Sequence, residues 1–530
     1  MSPSLLSAIR RRGAAVGPER LLTLAIGVAV AVVTCRFLRL SAATLQFSYP
    51  LDYGENLVLD VAIRLSYFWD IYPAMFDSPP WFVTNYPPVY FMVRAPFIWY
   101  DHPALWAGRL ISQLSALGTA LFIGLTLRRL TGDRAASVLA SVLFAALPFV
   151  AVSSQLDRAE LLGLFLSWVA LWSLTAAPDH SLAVACLVAS TYTQPAAALP
   201  ALAAGYVWLW DQRRRAQANQ LLVYVVAITG GIAFLLNRAT GGGFLLHVGT
   251  IISDSSTWSV TSLATQPLTS MSLLLLAAVV SSLAAWRYRL TGWSLIFSYV
   301  AAAALLIPIH SKCDSSIVLL HVSAASALAT AACTHWLRPS RVAMGAFALG
   351  LTLQIGWLGL MPSPYAPIQA RLRHWSDYDA LAATVRQIEG PALADEGIGL
   401  LWLSGRSVDF HPFAMSRLAA AGRWNPAGFS DRLDRRHYSV IVLRRSFAEP
   451  SPSAAFWTPQ LAAALVRNYD RAAAFELGNG LALELYRPKG TRLSIVDSGG
   501  AKSRQSSRLT HGNAILPSPR HGSFSNNTPN

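Results

Sequence analysis

Residues 110–136 read LISQLSALGTALFIGLTLRRLTGDRAA. A mostly apolar stretch of this length is what a helix needs to cross about 30 Å of hydrocarbon. It ends at Arg128 and Arg129, two cations placed where lipid head groups would begin. The pattern recurs along the chain. Comparable runs fall at roughly 21–40, 104–127, 135–152, 160–177, 181–196, 197–210, 220–236, 268–285, 291–309, 315–336 and 342–360, about eleven in all. Composition agrees, because 54% of residues are hydrophobic and 13% are charged. Such a chain, with mean hydropathy +0.41, is too apolar for an ordinary soluble enzyme. The expected fold class is an all-α polytopic membrane protein.

The net charge of +15 could serve nucleic acid or an anionic membrane, and its placement decides between them. Arg10 to Arg12, Arg128 and Arg129, Arg213 to Arg215, Arg287 and Arg289, and Arg338 and Arg341 all sit in short connections between apolar runs. This is the positive-inside pattern, so the partner is a lipid bilayer and not nucleic acid. With the N-terminus inside, every basic connection is cytoplasmic and the C-terminus lies outside. The basic and apolar start of the chain lacks a clear cleavage site and is read as a retained first helix. Cys35, Cys186, Cys313 and Cys333 lie in or beside apolar runs, with no disulfide framework or CxxC metal motif.

This topology divides the chain into a cytoplasmic segment at 1–20, a transmembrane domain at 21–360 whose first outer loop is 41–103, an extracytoplasmic α/β domain at 361–487, and a tail at 488–530. A second outer loop covers 238–267. In the first outer loop, NLVLDVAIRLSYFWDIY (56–72) and NYPPVYFMVRAPFIWY (85–100) suit helices at the membrane interface, with an aromatic belt as the plain alternative. In the α/β domain, ALADEGIGLLWLSGR (392–406), YSVIVLRR (438–445) and LALELYRP (481–488) read as strands, and DYDALAATVRQIEG (377–390) reads as a helix. The tail, rich in Ser, Gly, Pro and Arg, has the composition of a disordered segment.

Charged groups at membrane depth are costly and tend to be paired, hydrated or functional. Here Asp52, Glu55, Arg109, Asp157, Arg158, Glu160, Gln194, His247, Lys312 and Asp314 all map to the outer mouth. Asp52 and Glu55, in SYPLDYGEN (48–56), could act as a base and its helper, as two metal ligands, or as a helix cap with an acid in the first turn. In QLDRAELLG (155–163), Asp157 has the same choice between site and cap. SKCDSS (311–316) sets Lys312 at a helix start, which suits an anion or is an ordinary helix start with a snorkelling lysine. His247, alone in GGGFLLHVGT (241–250), lacks a partner at metal-ligand spacing.

Taken in order, the acidic outer loop, NYPPVYF, LISQLSALGTALFIGLTLRRLTGDRAA, QLDRAELLG and TYTQPAAALPALAAG (191–205) resemble the GT-C membrane glycosyltransferases. The likeness is to the bacterial branch near the family 39 protein mannosyltransferases and aminoarabinose transferases, over residues from about 20 to 360. It implies transfer of a sugar from a polyprenyl-phosphate donor to a glycan, lipid or protein acceptor at the outer face of a cell membrane, in bacteria the inner one. It implies further that Asp52 or Glu55 is the catalytic base or its metal-binding substitute. Asn85, Tyr86, Pro87, Pro88, Asp157 and Arg158 would then line the cavity, and Gln194 would meet the donor. Two features depart from the family: Thr193 stands where a lysine is common, and SKCDSSIVLLH replaces an Asn- and Glu-bearing helix start. Lys312 or Arg109 would then supply the phosphate's cation. No cofactor is required, and a divalent metal held by Asp52, Glu55 and Asp157 stays open. A flippase for lipid-linked sugars and a noncatalytic scaffold are the competing readings; a flippase would place its charges near the midplane.

Overall fold

The computed structural model describes residues 18–101, 103–177, 179–251, 260–309, 316–337, 339–360, 363, 365–445 and 456–491. Lys312, Cys313, Asp314 and the tail from 492 lie outside them. The first part is helical: α1 (Pro18–Gln46), α2 (Tyr53–Ser66), α3 (Val89–Asp101), α4 (Trp106–Thr131), α5 (Arg134–Ala146), α6 (Pro148–Ser153) and α7 (Glu160–Ala176). Next come α8 (Ser181–Thr191), α9 (Leu199–Asp211), α10 (Arg215–Ala239), α11 (Val260–Tyr288), α12 (Trp293–Ile309), α13 (Ser316–Leu337) and α14 (Arg341–Leu360). Each apolar run lies mainly on helix. Among the described residues, four helical stretches are long and apolar enough to cross a membrane: α4, α10, Leu268–Tyr288 of α11, and α13.

Local chemistry explains the punctuation. In LTGDRAA, Gly132 takes φ +72° and donates its N–H to the Arg128 carbonyl, closing α4. Asp133 then caps α5 by accepting from the N–H groups of Ala135 and Ala136. Pro148 divides the run expected at 135–152 into α5 and α6, because a proline ring cannot continue the preceding helix. Between α8 and α9, Pro195 opens a short 3-10 turn at Pro195–Ala197.

α13 is the buried axis of the bundle and packs against α4, α5, α7, α11 and α12. Along it, the Tyr299 hydroxyl and His321 Nδ1 lie 2.9 Å apart, and Trp168 packs on the Tyr299 ring. α10 instead turns Val223, Tyr224, Val226, Phe234 and Leu235 outward. Such a continuous apolar exterior suits lipid and not water.

The chain continues through α15 (Ala366–Arg373), α16 (Trp375–Gln387), β1 (Ala392–Ala394), α17 (Ile398–Leu403), α18 (Pro412–Ala420), α19 (Ala427–Asp434), β2 (Val440–Arg444), α20 (Pro459–Asn468), β3 (Tyr469–Glu476) and β4 (Ala482–Pro488). The sheet runs β1-β2-β4-β3, with β1 and β2 parallel and the other pairs antiparallel. Only the first three residues of ALADEGIGLLWLSGR are strand; from Ile398 it is helix, which corrects the expectation of a strand there. The change follows Asp395, whose carboxylate accepts from the N–H groups of Glu396 and Arg444, and Gly397. β3, an edge strand with mixed burial, went unread in YDRAAAFE because it lacks clean alternation.

The first outer loop does not merely flank this sheet. Phe47, Tyr49 and Leu51 sit in one core with Leu381, Ile398 and Leu485, while Trp81 and Val83 sit in another with Phe410, Phe429 and Ile441. Trp81 and Phe410 form a β-bridge. A polar lock joins the same two parts. Asp60 of α2 accepts from Arg64 Nε (2.8 Å) and Trp402 Nε1 (2.7 Å), and its Oδ2 lies 2.8 Å from His411 Nε2. Burial alone would raise this carboxyl, but Arg64 and His411 outweigh that and hold it below the ordinary range.

Asp60→Ala removes the anion from this lock and strands Arg64 in the interior. The expected loss is about 3–5 kcal/mol. Thermal unfolding of the purified variant in detergent checks this, and a midpoint equal to wild type would contradict it.

Candidate active site

The site is built where the start of α2 meets the link between α6 and α7. Glu55 lies in the first turn of α2, and its side chain folds back so that Oε2 accepts from the Leu51 N–H (2.6 Å), while Asp52 Oδ1 accepts from the Glu55 N–H (2.9 Å). This reciprocal arrangement resembles a capping box and fixes the direction of both side chains. The capping alternative for Asp52 is thus realised. The two carboxylates nevertheless part company.

Glu55 turns inward. Its oxygens accept from Arg109 Nε and Nη2, both at 2.8 Å, and from the backbone N–H of Asp157 at 2.7 Å, and both side chains are 0% exposed. Arg109 also donates to the carbonyls of Thr44, Phe47 and Tyr49. All five guanidinium N–H groups are therefore engaged within the protein. Arg109, expected as a donor for a phosphate, has none left in this conformation.

Asp52 turns outward. Its Oδ2 accepts from Arg158 Nη2 at 2.6 Å, and the two side chains keep 25% and 23% exposure. Gly54 makes room for the guanidinium, since a Cβ there would stand 2.6 Å from Arg158 Nη2.

Asp157 does not cap α7. Ala159 occupies the cap position, and the Asp157 carboxylate accepts from the Tyr90 hydroxyl (2.6 Å) and Arg94 Nε (3.0 Å). It presses so closely on α4 that a Cβ at Gly108 would fall 1.9 Å from its Cγ. Glu160, next along, accepts from Tyr86 (2.9 Å) and Ser316 (2.9 Å) and lies 3.6 Å from Arg158.

The structure thus brings together Asp52, Glu55, Tyr86, Arg109, Asp157 and Arg158. Gln194 packs on α7 one turn further along, with its Cβ 3.3 Å from the position a Gly163 Cβ would take. Asn85 is half-buried, Pro87 is buried, and Val89, two residues after Pro87, donates its N–H to the Tyr192 carbonyl. Pro88 leads instead into a cavity of about 970 Å³ between α3, α8 and α10, lined by Val89, Val188, Tyr192, Tyr224 and Ile232. Asp52, Asp157 and Gln194 do not line that cavity.

Sequence reasoning passed over Arg94, a lone cation in VYFMVRAPF whose burial required a partner, and gave Glu160 no role. Among the described residues, no three His, Cys, Asp or Glu side chains converge as a metal site. In this conformation the oxygens of Asp52, Glu55 and Asp157 are held by N–H and O–H donors. His247 is a structural bridge: Nδ1 accepts from the Thr84 N–H (3.0 Å), which leaves Nε2–H to donate to the Pro73 carbonyl (2.9 Å).

No protein-family model matches the sequence, and no curated protein sequence matches it. The fold does find relatives. The structure is similar to that of ArnT from Cupriavidus metallidurans bound to undecaprenyl phosphate, with TM-score 0.56 and 14% identity over 87% of this chain and 98% of that one. The apo state of the same enzyme aligns with TM-score 0.56 and 13% identity over 86% and 97% of the two chains. The chain has the GT-C fold. An oligosaccharyltransferase, AglB from Archaeoglobus fulgidus, in complex with an inhibitory peptide and a dolichol-phosphate, aligns at TM-score 0.45 and 11% identity, over 84% of this chain and 74% of that one. Within this GT-C fold, the acids of the first outer loop divide into one buried anchor and one open carboxylate.

That division predicts opposite stabilities. Glu55→Gln leaves Arg109 buried without its counter-charge, at a cost of about 3–5 kcal/mol. Asp52→Asn keeps the cap and loses only a half-open pair, a change within about 1 kcal/mol. Unfolding midpoints measured side by side would show the first variant well below wild type and the second close to it. Acid should act on His247, whose ring is pushed down to about 4, first by burial. Its folded value lies below the unfolded one of about 6.5, so its contribution is complete above pH ~6.5 and is lost as pH falls towards ~4. Protection factors at 71–84 and 244–249, with the pH dependence of intrinsic amide exchange divided out, should therefore fall between pH 7 and 5 in wild type, but not in His247→Gln.

Proposed function

We propose that the chain is a membrane glycosyltransferase that moves a sugar from a polyprenyl-phosphate donor to an acceptor at the outer face of the membrane, with Asp52 as general base. The observation that carries this is the contrast at SYPLDYGEN: Glu55 and Asp157 are buried and fully engaged, whereas Asp52 is partly open, oriented by a helix N-terminus and by Arg158. A carboxylate so held can still accept a proton on a remaining lone pair.

In the proposed reaction Asp52 takes the proton of the acceptor hydroxyl as that oxygen attacks the anomeric carbon. The bond from the anomeric carbon to the donor phosphate oxygen breaks, and the polyprenyl phosphate departs with the electron pair. Glu55, a catalytic candidate beside Asp52 on sequence alone, is reassigned to positioning, because its carboxylate has no open face. With the N–H groups of Arg109 taken, the phosphate's positive partners are assigned to Arg158 and Lys312, with Gln194 nearby. The apolar cavity that begins at Pro88 suits an isoprenoid tail, each buried methylene contributing about 0.8 kcal/mol to retention. The resemblance to ArnT, described with undecaprenyl phosphate, supports this donor class.

Asp52→Asn should abolish transfer of radiolabelled sugar from a polyprenyl-phosphate donor to membrane acceptors, a loss of at least about 100-fold, while leaving donor-lipid binding intact. Full activity in this folded variant would overturn the assignment. Loss of activity in Glu55→Gln, accompanied by a fall in its unfolding midpoint, is the expected mark of a positioning residue.

A further inference from the structure

Helix α2 closes on the wrong residue type. The Phe68 N–H donates to the Leu65 carbonyl (2.9 Å) and the Trp69 N–H to the Arg64 carbonyl (3.0 Å), the paired bonds that end a helix on a left-handed residue. Glycine is the usual occupant, yet here Phe68 takes φ +58°, where a bulky side chain is strained. The ring does not fill the core. It is 83% exposed, and its aromatic neighbour Trp99, 5.9 Å away, is itself 59% exposed. Tyr67 and Trp69 on either side are also exposed and stack with centroids 5.4 Å apart. Backbone strain that holds an aromatic side chain outside the fold points to a use outside the fold.

The same surface continues along α3. Between Val89 and Trp99 this helix has one charged residue, Arg94, and it lies on the buried face with Tyr90, where both meet Asp157. The outward face carries Met92, Val93, Pro96 and Trp99. The helix is therefore apolar outside and polar inside, the reverse of a helix that faces water. Even the Trp99 indole needs no water, since its Nε1 donates to the Ser66 carbonyl at 2.6 Å.

The placement of α3 identifies what covers this face. Its first residue, Val89, donates to the Tyr192 carbonyl just after α8, and its second half reaches the start of α4, where Arg94 donates to the Ala104 carbonyl and Phe97 meets Trp106 edge-on. The helix, about 20 Å long, thus lies across one end of the bundle. Met92 also lines the cavity of about 970 Å³ with Tyr224 and Ile228, two exposed residues of α10. At Met92 the outer face of α3 therefore meets the lipid-facing side of α10. With hydrocarbon on α10, the aromatic end of α3 falls at the membrane boundary, where Trp and Tyr concentrate. We propose that the 67–69 turn and the outer face of α3 form a wedge inserted into one leaflet of the bilayer, with a phospholipid surface as its partner. Because the inner face of the same helix holds Asp157, the wedge fixes the height of that carboxylate above the lipid. This surface requires nothing of the reaction assigned to Asp52.

Spin-label accessibility on the full chain, in vesicles of phosphatidylethanolamine and phosphatidylglycerol, tests the wedge without turnover. Cys35, Cys186, Cys313 and Cys333 are replaced by alanine, and a nitroxide is attached to Phe68→Cys or Met92→Cys. Arg435→Cys, at an exposed position of α19, is the water-facing reference. The labels at 68 and 92 should collide more with oxygen, which concentrates in lipid, than with a water-soluble nickel chelate, and the label at 435 should show the reverse. Preference for the nickel chelate at 68 would overturn the proposal, as would low collision with both reagents there, the mark of a protein partner. Benzoylphenylalanine in place of Phe68, in the chain with its cysteines intact, checks the cysteine replacements. Light should join it to phospholipid, and cross-linking to a second protein chain instead would count against the wedge.

Discussion

The Glu55–Arg109 pair is the constraint on which this end of the helical bundle depends. An ion pair fully withdrawn from water is stable only when every remaining hydrogen-bonding group of both ions is met. Here that demand organises the surroundings. The guanidinium gathers the carbonyls of Thr44, Phe47 and Tyr49 and so directs the chain leaving α1, while the carboxylate collects the N–H groups of Leu51 and Asp157. One pair thereby joins the end of α1, the start of α2, the first turn of α4 and the link before α7. The position of Asp52 follows from it, because Glu55 draws the first turn of α2 inward and leaves its cap residue at the water boundary.

The second organising feature is the shared core between the first outer loop and the α/β region. Aromatic residues at Phe47, Tyr49 and Trp81 bury themselves against the sheet and its helices, and the Asp60–Arg64–His411 lock closes the seam. The loop from 41 to 103 is therefore not a mobile cover over the bundle. It packs between bundle and sheet and shares its cores with the α/β region. The His247 bridge to Thr84 and Pro73 ties the second outer loop to the first.

Much of the bundle was legible before any coordinates. Long apolar runs have few ways to satisfy their backbone in lipid, so helices at those positions follow from composition and length alone. The stop and start in LTGDRAA was equally readable, since Gly and Asp at those positions carry their own local mechanism. The α/β region was harder: α17 in place of a strand, and the edge strand β3, depend on what packs against them. In the site, the cost of burying charge pointed to Asp52, Glu55 and Asp157, but Arg109, read as a phosphate's cation, is held by Glu55, and Arg94, which meets Asp157, was passed over, because a sequence does not show which cation meets which anion.

The sequence by itself thus determined the helical membrane character, the set of polar residues that are costly to bury, and an acid at Asp52 able to cap the helix that follows, all properties of period, composition and near neighbours. Only the tertiary structure decided that Glu55 and Asp52, three residues apart, take opposite fates. The reason is physical: whether a carboxylate is an anchor or an open base depends on the donors brought to it from distant parts of the chain. For Glu55 those are Arg109 and the Asp157 N–H, 54 and 102 residues away, and for Asp52 it is Arg158, 106 residues away.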